Sequence, residues 1–541
     1  MLKIYSPYRF FLVTAVLVGL LANSCTNRPY SEPGAGAFPP STAGQAAEVP
    51  TLAALHARTP KPAFQKGFSI ATWDRDTYAR SQTVRSLANL RATGTEWLAV
   101  VVTWYQDDVD SLNIAPTTLT PTDESLRTLI GAAHKLGFKV MLKPHVDLSG
   151  GGDGWRAQIG GNFTPGQWSE WFASYTAMIT HFARLAKENS VEQFCIGTEL
   201  GTAARQAEHW RAVTFAVRKV YSGRLVYASN SPTMDEITWW DALDFIGVNA
   251  YLDGGFTREV SLADLESVWR AFLPRLEDLS VRFNHMPVLI TETGSASYDG
   301  AANHPPHFEH DQPLDLQEQA DSYQAFFNTA VNQSWLAGVY WYGWEPNPYR
   351  GGACDYDFTP FGKPAESVLR TGYGADPQLP GPSALQPPEE AAGTAVFEDQ
   401  FSAGWNPDWS WDVDWSLVPD PGGAAGRVAA VRSDQGYLSL HHTPFPTVPY
   451  RWISVRIRFS RSGQRLFLSL SDENDRMLGG YLLSDCLSID GADFPPETWH
   501  TYNVPVEALL AEGRPIQRIN IGGGGPAGEG MFWVDDLRWI P

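Results

Sequence analysis

Phe194-Cys-Ile-Gly-Thr-Glu-Leu200 is a short apolar run that ends on an acid. A run of this length with helical patterns on both sides reads as a buried strand of a parallel sheet. Apolar positions recur at three and four over 167–188 before it and over 205–220 after it. The alternation continues outward in both directions. Strands are predicted at 67–72, 97–103, 138–143, 192–198, 224–229, 244–249, 287–291 and 336–342. Helices are predicted at 79–92, 123–136, 261–280 and 316–333, with a short one around 234–243. Eight alternating units over about 310 residues predict an α/β fold, a (β/α)8 TIM barrel spanning 63–374. Functional groups of such barrels gather at the C-terminal ends of the strands.

Counted this way, Glu199 ends strand four, and Glu292, in Val288-Leu-Ile-Thr-Glu-Thr-Gly294, ends strand seven. Two carboxyl groups at one barrel mouth match the needs of glycosidic hydrolysis. One protonates the leaving oxygen, and the other attacks or activates water at the anomeric carbon. The bland alternative is a pair of strand-end glutamates in structural ion pairs.

At 541 residues the chain is long enough for a second folded unit beyond the barrel. Its net charge of −20 is spread along the chain, which disfavours nucleic acid and anionic lipid surfaces as partners and tolerates a neutral polymer. The 21 tryptophans suit stacking on sugar rings, although Trp also fills cores.

The N-terminus reads as a processing signal: Lys3 and Arg9 precede the apolar run Phe10 to Ala22. Leu21-Ala-Asn-Ser-Cys25 follows, and the segment 1–25 resembles a bacterial lipoprotein signal whose lipobox would make Cys25 the acylated residue. That implies export to the cell envelope with a lipid anchor as the only membrane link. An ordinary secretory signal is the alternative. Residues 26–62 and 375–393 are rich in Pro, Gly and small polar residues and read as linkers. Cys195, Cys354 and Cys486 suggest isolated thiols, with no disulfide framework and no zinc spacing.

Beyond the second linker, 452–460, 465–471, 499–506 and 530–539 alternate with period two. They predict an all-β, jelly-roll-like sandwich over 394–541. It resembles carbohydrate-binding jelly rolls, notably in Phe532-Trp-Val-Asp-Asp-Leu-Arg-Trp539. Such domains often carry calcium near the chain ends, for which Glu398, Asp399 and Asp535 are the candidate ligands. Trp405, Trp409, Trp411 and Trp415 form either a stacking face or core anchors.

Several stretches together resemble glycoside hydrolase family 113. They are Phe194–Leu200, Trp210-Arg211, Val217-Arg218, Tyr221–Asn230, Trp240–Tyr251, Gly338-Val-Tyr-Trp-Tyr-Gly-Trp344 and Met141-Leu-Lys-Pro-His145. The resemblance spans the whole first domain. It implies a retaining, β-mannanase-like enzyme with Glu199 as acid/base and Glu292 as nucleophile. One position departs from the wider clan: Thr198 stands where an Asn commonly contacts the sugar 2-hydroxyl.

Around this pair, Tyr251 is placed to donate a hydrogen bond to Glu292. Trp341 and Trp344 are candidates for a platform under the sugar, and Trp73 and Trp104 for walls, with core packing the alternative for each. Lys143, His145 and Asn230 are candidates for binding sugar hydroxyls. His304, His307, His310 and Asp311 recur in one loop, where a solvated surface is favoured over a metal site. The run Gly522 to Gly525 lacks the context of a phosphate loop, and no Gly-x-Ser-x-Gly or His-Glu-x-x-His motif occurs. The expectation is a monomeric hydrolase without a cofactor, acting on polysaccharide or oligosaccharide, most plainly β-1,4-mannan or glucomannan. Another β-glycan, or a non-catalytic polysaccharide-binding role, is the alternative.

Overall fold

A computed structural model describes residues 63–541 except 151–153, 257–259, 306–311, 353–354, 379–392, 408–409, 411–412, 424–425, 433–435, 461–464, 485–496, 512 and 524–529. The segments 1–25 and 26–62 with Cys25 lie outside the described residues. So do most of the 375–393 linker, Cys354, Cys486, His307, His310, Asp311, Trp409, Trp411, Gly524, Gly525 and the side chain of Trp415. Among the described residues no helix is long and apolar enough to cross a membrane.

Strands β1 (Gln65–Ile70), β2 (Trp97–Gln106), β3 (Lys139–Leu148), β4 (Gln193–Thr198), β5 (Arg224–Asn230), β6 (Phe245–Asn249), β7 (Val288–Thr293) and β8 (Leu336–Trp344) close into a barrel in sequence order. Every neighbouring pair is parallel, including β1 with β8 at the seam. The long crossover helices are α1 (Ser81–Ala92), α2 (Asp123–Lys135), α3 (Pro165–Glu188), α4 with α5 (Gly201–Ala204 and Ala207–Arg218), α6 (Leu262–Arg282), α7 (Leu316–Thr329) and α8 (Pro364–Tyr373). Their starts follow local chemistry. Thr164 accepts from the Gln167 N–H while Gln167 answers the Thr164 N–H, with Pro165 supplying a helical φ at the first turn.

Both faces of each strand are buried, but in different clusters. Trp97, Ala99, Met141, Cys195, Val226, Phe245, Leu289 and Tyr340 fill the barrel interior. The alternate residues, such as Leu98, Val100 and Val102, pack under the helices. At the seam Gly67 is required, because a Cβ there would lie 2.4 Å from the Tyr340 ring. Beside it, Gln65 donates to Gln193 at 3.0 Å and accepts from Tyr340 at 2.5 Å.

Two sequence expectations need correction. Strand three continues past Pro144 to Leu148, because β4 pairs with β3 only at Met141 and Leu142. Further along, β3 has one hydrogen-bonding edge free, so a residue without an N–H is tolerated. The short helix expected at 234–243 is two 3-10 turns, Met234–Glu236 and Trp240–Ala242.

The C-terminal region is an antiparallel sandwich. One sheet has the order β10 (Val413–Pro419), β11 (Arg427–Arg432), β18 (Met531–Ile540), β13 (Trp452–Phe459), β16 (Trp499–Pro505), with β9 (Thr394–Phe397) also on β18. The other has the order β12 (Tyr437–Pro446), β17 (Pro515–Gly523), β14 (Arg465–Asp472), β15 (Met477–Ser484). Val455, Leu468, Ile519 and Phe532 are among the residues that interleave between the sheets.

Candidate active site

Strand phase decides which side chains meet at the barrel mouth. Met141 belongs to the barrel interior, so Lys143, His145 and Asp147 lean to the same side as β3 climbs to the mouth. Phe245 sets the same phase for Asn249 and Tyr251.

Glu199 is the residue at which β4 turns away from the barrel. Its φ of 56° lies in the left-handed region, which is uncommon and strained for a residue with a side chain. The turn is fixed by two bonds: the Glu199 N–H donates to the Ala228 carbonyl at 2.8 Å, and the Leu200 N–H to the Tyr227 hydroxyl at 3.0 Å. Asn249 Nδ2 donates to Glu199 Oε1 at 3.0 Å. The Thr291 hydroxyl donates to Asn249 Oδ1 at 2.8 Å, so the amide nitrogen must face Glu199.

Glu292 has a different surrounding. Lys143 Nζ is ion-paired with Oε1 and also donates to the Thr291 carbonyl at 3.1 Å. Tyr251 donates to Oε2 at 3.0 Å. Lys143 is fully buried and Glu292 is 6% exposed, so this pair sits out of bulk water.

Arg156, in a 3-10 turn after β3, links the two acids. Its Nη2 donates to Asp147 Oδ2 at 2.9 Å, its Nη1 to His145 Nδ1 at 2.9 Å, and Nη1 lies 3.9 Å from Glu199 Oε2. A guanidinium only donates, so His145 Nδ1 accepts and the ring proton resides on Nε2. Burial, then the charges of Arg156 and Lys143, hold the His145 pKa well below its ordinary value, so the ring is neutral. Nε2 is buried without a partner and lies 4.0 Å from Glu292 Oε1. It is a donor pointed into the site.

Burial and the negative charge of Glu292 raise the Glu199 pKa, against smaller lowering by Arg156, Asn249 and Lys143. The two acids are therefore provisioned in opposite senses. Glu292 receives a full cation and a phenol, which suits a carboxylate. Glu199 receives an amide and a more distant cation, and is held toward its protonated form.

Residues 68–363 match the model of glycoside hydrolase family 113, more than half of the chain. The chain belongs to glycoside hydrolase family 113. A solved complex of a GH113 β-1,4-mannanase is similar at 30% identity with a TM-score of 0.52, covering 58% of this chain and 99% of that one. The GH113 β-mannanase AaManA from Alicyclobacillus acidocaldarius, solved with ManMIm, is similar at 27% identity with a TM-score of 0.53, covering 58% and 97%. No curated protein sequence matches the chain.

In this family 113 hydrolase the structure brings Glu199, Glu292, Lys143, His145 and Tyr251 together. Asn230 stands half-buried at the end of β5, beside Asn249 in register. The four tryptophans separate. Trp341 is 1% exposed and stacks on Tyr323 with ring centroids 3.9 Å apart, under α7. Trp344 is buried with its Nε1 donating to Ser86 Oγ at 2.9 Å. Trp104 leans on His181 and Phe182 of α3. A platform is therefore not open to Trp341 and Trp344, while Trp104 is half-buried with its ring against α3. Trp73, like Trp104, is half-buried, and it stands at the rim just after β1. Thr198 is buried, its hydroxyl 3.8 Å from the Cys195 thiol, so it lies beneath the site rather than in the Asn role of the wider clan.

Asn249, Arg156, Asp147 and Tyr342 join the site without having been singled out from the sequence. Asn249 was detectable from its spacing of two from Tyr251. Tyr342, on β8, acts electrostatically on Arg156 and Tyr251.

The expected calcium ligands are engaged by the protein itself. Glu398 pairs with Arg538 at 2.5 Å, Asp399 accepts from the Arg427 N–H at 2.9 Å, and Asp535 pairs with Arg456 at 3.0 Å. His304 lies 3.2 Å from Asp253. Asp299, Asp315 and Glu318 bring carboxylate oxygens within 4.8 Å of one another. Two of these are already used: Glu318 accepts from the N–H groups of Gly300 and Ala302, and Asp315 caps α7.

Proposed function

We propose that this hydrolase cleaves β-1,4-mannan or glucomannan chains with retention at the anomeric carbon, by double displacement. The observation that carries the reading is the unequal treatment of two buried glutamates in one mouth. Glu199 gives its proton to the leaving glycosidic oxygen while Glu292 attacks C1, the C1–O bond breaks, and a glycosyl ester forms on Glu292. The negative charge that raised the Glu199 pKa is then gone. Glu199, now ionised and less basic than before only by that change, takes a proton from water as the water attacks C1 and releases Glu292. Tyr251 and Lys143 keep the attacking carboxylate oriented, and the His145 Nε2 donor is available to a sugar hydroxyl. The mannan assignment rests on the two similar GH113 mannanases.

Product release from mannan, glucomannan, xylan and β-glucan tests the substrate, and NMR of the first product anomer tests the stereochemistry. Mannan cleavage with the β-anomer formed first is expected. An α-anomer overturns retention, and cleavage confined to another glycan overturns the mannan reading. Glu292→Ala should lower kcat/KM by roughly 10^4-fold or more. Addition of azide to that variant should yield an α-glycosyl azide. Export with a lipid on Cys25 is part of the same proposal; loss of radiolabelled palmitate in Cys25→Ala is the expected result, and unchanged labelling rejects it.

A further inference from the structure

The family match ends at residue 363, before the sandwich begins, yet the sandwich is bonded to the barrel at its catalytic face. Its 3-10 turn Val506–Leu509 lies over α1 and the loop after β8. Glu507 is the hub. Its carboxylate pairs with Arg85 at 2.5 Å and accepts from the Tyr349 hydroxyl at 3.1 Å, while its carbonyl accepts from Gln82 at 2.7 Å. The carbonyls of Ala508 and Leu510 accept from Asn347 at 2.8 Å and Arg80 at 2.7 Å.

A second contact reaches the loop after β1. Arg476, in the β14–β15 turn, bonds Asp74 Oδ2 at 3.1 Å. The other oxygen of Asp74 organises that loop, accepting from the N–H groups of Asp76 and Thr77 and the Thr77 hydroxyl, each at 3.0 Å. Trp73 directly precedes Asp74. On the β8 side, Ser86 of α1 donates to the Glu345 carbonyl at 2.5 Å and accepts from Trp344. The sandwich thus grips, on both sides of the β1–β8 seam, the loops that leave the catalytic mouth.

We propose that the sandwich is a fixed wall of the catalytic cleft: Glu507 and Arg476 hold the loops after β1 and β8, and through Asp74 they hold Trp73 in place to stack on a sugar of the bound chain. The proposal rests on the glycan reading above for its ligand, but the docking itself does not. Trp73 is half-buried at the rim. Its loop is tied within the barrel by the Arg75 carbonyl, which accepts from the Thr122 N–H at the start of α2 at 3.0 Å, and by Arg80, 3.6 Å from Asp74; Arg476 is the tie that the sandwich adds. Glu507 and Arg476 are positioning residues; neither touches the reacting atoms.

The test uses the full chain carrying Arg476→Ala with Glu507→Ala, and Arg476→Ala alone as the milder variant. Hydrogen exchange at 71–80 and 345–350 should accelerate, and barrel and sandwich should melt in two transitions where the wild type shows one. KM for a manno-oligosaccharide should rise about 5- to 10-fold with kcat changed less than about 2-fold, a shift of the size expected for one stacking contact. In a Trp73→Ala background the same substitutions should change KM less than about 2-fold. Unchanged exchange in both loops overturns the docking role. Altered exchange with unchanged KM overturns the cleft role. If the wild type cleaves no glycan, the functional reading falls while exchange and melting still decide whether the sandwich holds the loops.

Discussion

Barrel and sandwich differ in where they bury charge. The sandwich core is aliphatic and aromatic, with Val455, Leu468, Ile519 and Phe532 meeting between its sheets; its pair Arg456–Asp535 lies toward the surface, and the buried Arg518 reaches an exposed Asp475. The barrel is apolar in its middle, but its mouth buries Lys143, Arg156, Glu199 and Glu292 within a few ångströms of one another. The difference teaches where this molecule accepts the penalty of desolvating charge. At the mouth, charges are buried where bonds are to be broken; elsewhere charge is buried in structural pairs, Arg370 with Glu366 in the barrel and Arg518 with Asp475 in the sandwich.

Breaking one charge pair in each region tests this most directly. Lys143→Met leaves the Glu292 carboxylate buried without its cation, and a loss of about 3–5 kcal/mol in stability is expected by denaturant unfolding. Activity should fall with it. A loss near zero would place Lys143 outside the balance of the site. Tyr251→Phe is the next largest: it removes one hydrogen bond to a carboxylate, worth about 1.5–3 kcal/mol, so kcat/KM should drop roughly 10- to 100-fold with folding intact.

Glu199→Gln sharpens the comparison through pH. A carboxyl whose pKa is raised by folding contributes its stability below the unfolded pKa and loses it as pH rises through the folded one. The wild-type barrel is therefore penalised at pH 7, and the variant should be the more stable of the two there, with the difference vanishing near pH 4. Wild-type glycosylation should decline over the same rise in pH, as Glu199 loses its proton. Equal melting temperatures at both pH values would remove the electrostatic cost assigned to the site. The smallest effect is expected from Arg456→Met in the sandwich, below about 1 kcal/mol, because that pair is screened by solvent.

Much of the barrel was legible in the sequence, because short apolar runs alternating with helical periodicity leave few other folds. The two glutamates were legible because each ends such a run. The tryptophans were not. Both faces of a barrel strand are buried, so Trp104 and Trp341 look alike whether they face the mouth or the helices. Only phase relative to Ala99 and Met141 tells inward from outward, and even that is disturbed on β8, where register shifts occur. Arg156 comes from an irregular turn with no pattern to mark it. The docking turn was equally silent, since three of its bonds use the carbonyls of Glu507, Ala508 and Leu510, which no side-chain pattern announces.

The seam where β1 meets β8 also sets an order of events during synthesis. Tyr340 and Gln65 are joined across 275 residues, but Arg80 and Leu510 across 430. At roughly 5–20 residues per second, the ribosome finishes the last barrel strand some 10–30 s before it delivers the turn that bridges the seam. The newborn barrel must close by its own strand pairing and its glutamine–tyrosine latch. The sandwich arrives afterwards as a bolt on a door already shut, and a chain halted between the two would be a folded cylinder with an unfastened rim.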